Sequence, residues 1–129
     1  MKFHVDGTKP KNNEIFCFGS NLAGVHGAGA ALEARIKYGA HWHHGVGPMG
    51  ESYAIPTKDK NINTMPISSI TPYVLEFIQY AKDNPNINFW MTGIGCGLSG
   101  YKPKDIAPLF IGSSDNISFP DTWRQYLTA

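Results

Sequence analysis

Two segments of this chain place glycines beside residues able to hold or attack a ligand. Residues 20–29 read SNLAGVHGAG and residues 93–100 read GIGCGLSG. In the first, Gly24, Gly27 and Gly29 let the backbone come close to a bound molecule. The last N–H groups of this segment open a helix, whose N-terminus carries about half a positive charge and suits a diphosphate or a ribose hydroxyl. In the second, Gly93, Gly95 and Gly97 alternate, a spacing whose N–H groups can form an anion-binding nest. The first segment is neither a Walker A loop, which ends in Gly-Lys-Ser/Thr, nor a G-x-G-x-x-G dinucleotide fingerprint. The alternative for the first is a tight strand-to-helix turn with no ligand.

Reactive side chains stand nearby in the sequence. Cys96 lies between two glycines and needs a base to act as a nucleophile. His26 serves only if the fold brings the two loops together, and otherwise Cys96 is a small buried side chain. Lys58 follows Ile55-Pro56-Thr57. A desolvated lysine there could attack a sugar carbon as a Schiff-base nucleophile; the alternative is a solvated lysine in the run KDK. His41, His43 and His44 form a cluster, but no cysteine or carboxylate lies at a standard ligand spacing, and no metal site is assigned. Tyr53, Trp90, Tyr101 and Phe110 are aromatic rings that could stack on an adenine; Trp90, inside an apolar run, reads rather as core. Tyr101, directly after the second glycine loop, is the candidate to stack on a base.

Positioning these groups requires strands that end where the loops begin. Residues 14–19 (EIFCFG) and 87–92 (INFWMT) are short apolar runs ahead of the two loops, suited to buried strands. Residues 1–5 suggest an edge strand, 52–56 (SYAIP) a further strand and 116–119 a last one. Residues 30–39 form a helix with Ala30, Ala31, Leu32, Ala34 and Ile36 as helix or core residues and Gly39 as its stop. Thr71-Pro72 reads as the N-cap and first position of a second helix. Val74, Leu75, Ile78 and Ala81 recur along it to the stop at Asp83-Asn84-Pro85. Residues 102–110 and 120–127 give two more short helices, and residues 41–50 and 57–63 are irregular. This alternation implies a three-layer α/β/α fold with a mixed, mostly parallel sheet. Such sheets bind ligands at the carboxyl ends of their strands, where both glycine loops would lie.

Composition narrows the function classes. At 129 residues the chain is read as one domain over 1–129, and 42% hydrophobic residues suffice for a core. A net charge of +1 with no basic stripe argues against a duplex nucleic-acid partner. No apolar run approaches the length of a membrane span and no signal peptide is recognised. Two distant cysteines, Cys17 and Cys96, suit a reducing compartment, so a cytoplasmic location is expected.

The segment Gly27-Ala28-Gly29-Ala30-Ala31, then Tyr53-Ala54-Ile55-Pro56-Thr57-Lys58, then Ile94-Gly95-Cys96-Gly97-Leu98, resembles the macrodomain superfamily. The order and spacing agree over residues 14–112. The nearest branch is that of the terminal ADP-ribose protein glycohydrolase and of the antitoxin macrodomains that strip ADP-ribose from DNA bases. The chain is also similar to short bacterial and phage proteins that begin FGSNLAGxHGAGAA. The macrodomain resemblance implies a cleft for ADP-ribose and no cofactor. Asn21, Gly27, Ala28 and Gly29 would line the distal ribose, with Gly24 and His26 in the same loop. Gly93, Ile94, Gly95, Cys96 and Gly97 would hold the phosphates, with Leu98, Ser99 and Tyr101 beside them. Lys58 stands where that branch has its catalytic lysine. Ser99 replaces the aspartate that the protein glycohydrolase needs to release its covalent intermediate. Asp6 is the one candidate for the aspartate that reads the adenine amino group. The resemblance thus implies either a module that binds an ADP-ribose-type molecule, or a glycohydrolase removing ADP-ribose from nucleic acid, protein or a small molecule.

Overall fold

The computed structural model describes residues 1–5 and 7–128. Asp6 lies outside the described residues. The strands β1 (Lys2–His4), β2 (Glu14–Asn21), β3 (Gly47–Met49), β4 (Ser52–Lys58), β5 (Asn88–Met91) and β6 (Ile117–Pro120) form one sheet in the order β1-β6-β5-β2-β4-β3. Neighbours pair in parallel except β3, which runs antiparallel to β4. The sheet is therefore mixed and mostly parallel, as the alternation of elements predicts.

The strands sort their side chains by the two-residue period of the pleat. Phe16 and Phe18 of β2, Ala54 of β4 and Trp90 of β5 share one face with Ala31 and Ala34 of helix α1 (Gly29–Lys37). Alanines at the contact let α1 settle close to the sheet. Cys17, Tyr53, Ile55, Phe89 and Met91 point to the other face. There they meet α2 (Ile67–Asp83), α3 (Pro103–Ile106), the 3₁₀ turn Ala107–Phe110 and the terminal α4 (Arg124–Leu127). Phe77 of α2 is fully buried, with ring contacts to Tyr53 at 4.9 Å and Phe89 at 5.3 Å. Burying such a ring is worth roughly 1.5–3 kcal/mol. The result is three layers, helix on sheet on helices. No helix among the described residues is long and apolar enough to cross a membrane.

Several boundaries differ from the sequence expectations. Helix α2 starts at Ile67, not at Thr71, because Pro66 is extended and the Ser69 and Ile70 N–H groups already bond to its carbonyl. Pro72 therefore sits inside the helix. The carbonyl it leaves unbonded belongs to exposed Ser68, where water can reach it. Leu75, which recurs with the apolar residues of α2, and Ile36, read as a helix or core residue, are 56% and 66% exposed; the buried stripe of α2 is Ile70, Val74, Phe77, Ile78 and Ala81. Strand β2 continues through Ser20 and Asn21, and β4 through Thr57 and Lys58, so both candidate residues Asn21 and Lys58 end strands rather than lie in loops. The segment 41–50 contains the edge strand β3. Residues 102–110 divide into one α turn and one 3₁₀ turn, and a 3₁₀ turn at Asp121–Trp123 precedes α4.

Candidate functional site

Parallel strands deliver their last residues to one edge of the sheet. Ser20 and Asn21 end β2, Thr57 and Lys58 end β4, and Thr92 and Gly93 follow β5. Together they floor a cavity of about 370 Å³. Gly27, Ala28 and Gly29 wall it on one side, and Ile94, Gly95, Gly97, Leu98 and Ser99 on the other. Eleven of the predicted site residues thus come together, Lys58 among them. Among the described residues that line the cavity, Lys58 is the sole ionisable side chain. A lining that, among the described residues, holds one lysine and no carboxylate favours an anionic ligand.

The backbone of both loops reinforces that preference. Ala28 occupies the N-cap of α1 and offers no side-chain acceptor. The first N–H groups of that helix consequently open toward the cavity without an intrahelical partner. In the second loop, the Cys96 and Gly100 N–H groups close turns onto Gly93 and Gly97. Those of Gly93, Gly95 and Gly97 make no backbone hydrogen bond among the described residues. Fixing the turns while leaving these donors free is what a backbone anion site requires.

The glycines divide by what holds them. Gly95 has φ +72°, and a Cβ there would press on Ile106 at 3.0 Å. Gly24 has φ +70°, and a Cβ there would overlap the backbone of His43 and His44. These two are glycine because the fold needs it. Gly27, Gly93 and Gly97 have no left-handed φ, and an added Cβ meets at most an ordinary contact at 3.9 Å at the first two and nothing within 4 Å at Gly97. All three line the cavity.

Four predicted residues lie elsewhere. Gly24 faces the 41–44 segment, where its carbonyl accepts from His43 N at 2.9 Å. His26 is fully buried, with Nε2 2.8 Å from the carbonyls of both His41 and His44, so Nε2 carries the proton and ties that segment down. Its ring meets Phe18 edge-on at 5.4 Å, and it does not line the cavity. Tyr101 packs against the core, and its hydroxyl donates to the Met65 carbonyl at 2.6 Å. Cys96 lines a second cavity. Asn21 reaches the first cavity, yet both ends of its amide are engaged with Val25, donating to its carbonyl at 2.9 Å and accepting from its N–H at 3.0 Å. It shapes the loop. Ser99 is likewise engaged, 2.7 Å from the Thr57 hydroxyl, which pins the second loop to the end of β4.

The second cavity, about 530 Å³, adjoins the first through the shared residues Ala30, Thr92, Gly93 and Gly97. Phe16, Trp90 and Trp123 are among the residues that line it, and the His4 ring is stacked on Trp90 at 3.8 Å. Lys9 and Glu33 join at its rim, Nζ to Oε2 at 2.6 Å, and that hydrogen bond holds the lysine pKa above its ordinary value. Below the sheet, burial pushes the thiol of Cys17 up and leaves it inert. Among the residues that the sequence reading missed are Ser20, Thr57, Thr92 and Ile62 in the first cavity and, in the second, all the lining residues but Gly93, Cys96 and Gly97. A usable signal for the first three is the polar residue that directly follows each buried apolar run.

No protein-family model, curated protein or solved structure matches this chain.

Proposed function

We propose that the protein binds ADP-ribose or a closely related NAD-derived nucleotide along the two joined cavities. The observation that carries this reading is the set Gly27, Gly93 and Gly97: cavity-lining glycines that neither backbone conformation nor packing demands. A ligand brought against the main chain supplies the missing reason. Free N–H groups of the second loop and the uncapped start of α1 suit the diphosphate. The first cavity, with Lys58 and Asn21 at its floor, takes the distal ribose, and the second cavity, lined in part by aromatic rings, takes the base. The resemblance of these loops to those of macrodomains supports the same assignment. The two unbridged thiols, Cys17 and Cys96, fit a reducing cytoplasm. Binding alone would suffice to sequester such a nucleotide as a signal.

Calorimetric titration with ADP-ribose, with AMP as control, tests the reading. Micromolar affinity for ADP-ribose, about −8 kcal/mol, and far weaker AMP binding are expected. Absence of heat with ADP-ribose refutes it.

A second reading is favoured by Lys58 as the sole ionisable side chain lining the first cavity among the described residues. In that reading the protein is an ADP-ribosyl glycohydrolase acting on nucleic acid, protein or a small molecule. Once the Lys58 ammonium has given one proton to water, a bond from its Nζ to C1″ forms as the bond from C1″ to the leaving group breaks. The leaving group keeps the electron pair and takes the proton from the lysine, and water then displaces the lysine. Loop N–H groups would stabilise charge in the transition state. Ser99, bonded to Thr57, is no carboxylate base. Lys58→Ala should abolish release of ADP-ribose at unchanged thermal stability; full turnover in that variant removes Lys58 from the chemistry.

A further inference from the structure

Among the described residues, three that are not glycine hold a left-handed backbone: Asn13 (φ 72°), His43 (φ 69°) and Ile62 (φ 64°). Asparagine and histidine visit this region readily, but a β-branched residue there is a genuine outlier. Ile62 sits in the turn after β4, and that turn is over-determined. Asp59 Oδ1 accepts from the N–H groups of Asn61 at 2.8 Å and Asn63 at 3.0 Å, and the Ile62 N–H bonds to the Asp59 carbonyl at 3.1 Å. The hydrogen bonds hold the turn; the isoleucine side chain does not, since it is 43% exposed and belongs to neither core cluster. A strained, exposed isoleucine adds little to folding. It does line the first cavity, and so does Leu98 of the second loop, 72% exposed. Two aliphatic side chains in water at one cavity, one of them held at a conformational cost, call for something apolar to cover them.

We propose that Ile62 is a ligand-contacting specificity residue, which with Leu98 forms an aliphatic clamp on the carbon face of the terminal sugar. This rests on the ADP-ribose reading for the identity of that sugar. The clamp grips only the part of the ligand in the first cavity, so it distinguishes ADP-ribose from ADP, which lacks that sugar.

The test combines thermal unfolding with calorimetric titration of ADP-ribose and ADP, for the wild type and for Ile62→Asn, Ile62→Gly and Ile62→Val. Asparagine and glycine accept the left-handed backbone, so those variants should unfold at or above the wild-type temperature. Both should lose about fivefold or more in ADP-ribose affinity, roughly 1 kcal/mol, while ADP affinity stays within about twofold. Ile62→Val, still aliphatic, should retain ADP-ribose affinity. Lower unfolding temperatures for both Asn and Gly variants would make Ile62 a packing residue and overturn the proposal. Unchanged ADP-ribose affinity, or equal losses for both nucleotides, would overturn it too. If the wild type binds neither nucleotide, the ADP-ribose reading fails separately. The unfolding temperatures then decide Ile62 alone: lower values overturn its release from a folding role, and equal or higher values support it.

Discussion

A Cβ added at Gly24 would overlap the backbone of His43 and His44, whereas one added at Gly97 would meet nothing within 4 Å. Both residues belong to glycine-rich loops that follow a buried strand. In sequence they look equivalent. The first loop spends part of its glycine on itself: Gly24 lets the 41–44 segment close over buried His26, and Asn21 clips the turn through Val25. The second loop spends Gly95 in the same way, against Ile106, but leaves Gly93 and Gly97 open to the cavity. Glycine content therefore reports two needs, close packing and ligand approach, and only the surroundings of each glycine tell them apart.

The largest effect should come from breaking the packed class. Gly24→Ala combines left-handed strain with backbone overlap, about 3 kcal/mol in all. Its unfolding temperature should fall by roughly 10 °C in a calorimetric scan. An unperturbed melt would show that the 41–44 segment yields freely and that Gly24 is not a packing glycine. Gly97→Ala should do the reverse. Its stability should hold or rise by up to about 0.5 kcal/mol, while affinity for ADP-ribose falls at least about tenfold, or 1.4 kcal/mol. If binding survives, the open glycines have no ligand to admit and the proposed site loses its main support.

The smallest effect lies under the sheet, far from both loops. Burial raises the phenol of Tyr53 above its usual value of 10, with the Glu76 carboxylate adding to the shift. Its contribution is fully present below pH 10. It is lost as pH climbs past 10, because the unfolded chain ionises this tyrosine while the folded one resists. Urea midpoints should therefore drop above pH 10 in the wild type and less in Tyr53→Phe. An equal drop in both would assign the alkaline loss to other groups. The comparison of the two loops should be indifferent to this substitution, since Tyr53 points to the face opposite α1.

Much of the architecture was legible in residue order. Apolar runs at 14–19 and 87–92, each closed by a glycine loop, announced buried strands. The Ala-rich segment after Gly29 announced a helix able to lie close to the sheet. Placing both loops at one edge followed from the alternation of strand and helix, and eleven predicted residues do meet at the cavity. The errors came where a local signal had a tertiary competitor. Thr71-Pro72 looks like a helix start, yet Ile70 is drawn into the core and carries the helix one turn further back. His26 and Tyr101 looked free to meet a ligand, but carbonyls of distant segments, at His41, His44 and Met65, claim their polar atoms.

Sequence by itself determined the strands, the α/β layering and the presence of glycine-rich backbone at their ends, because these depend on local periodicity and on the missing side chain. Tertiary structure alone decided which glycines face open space, which polar side chains are already bonded, and that Ile62 stands strained at the cavity that Leu98 also lines. Those properties depend on atoms contributed by residues far away in the chain, and no local pattern records them.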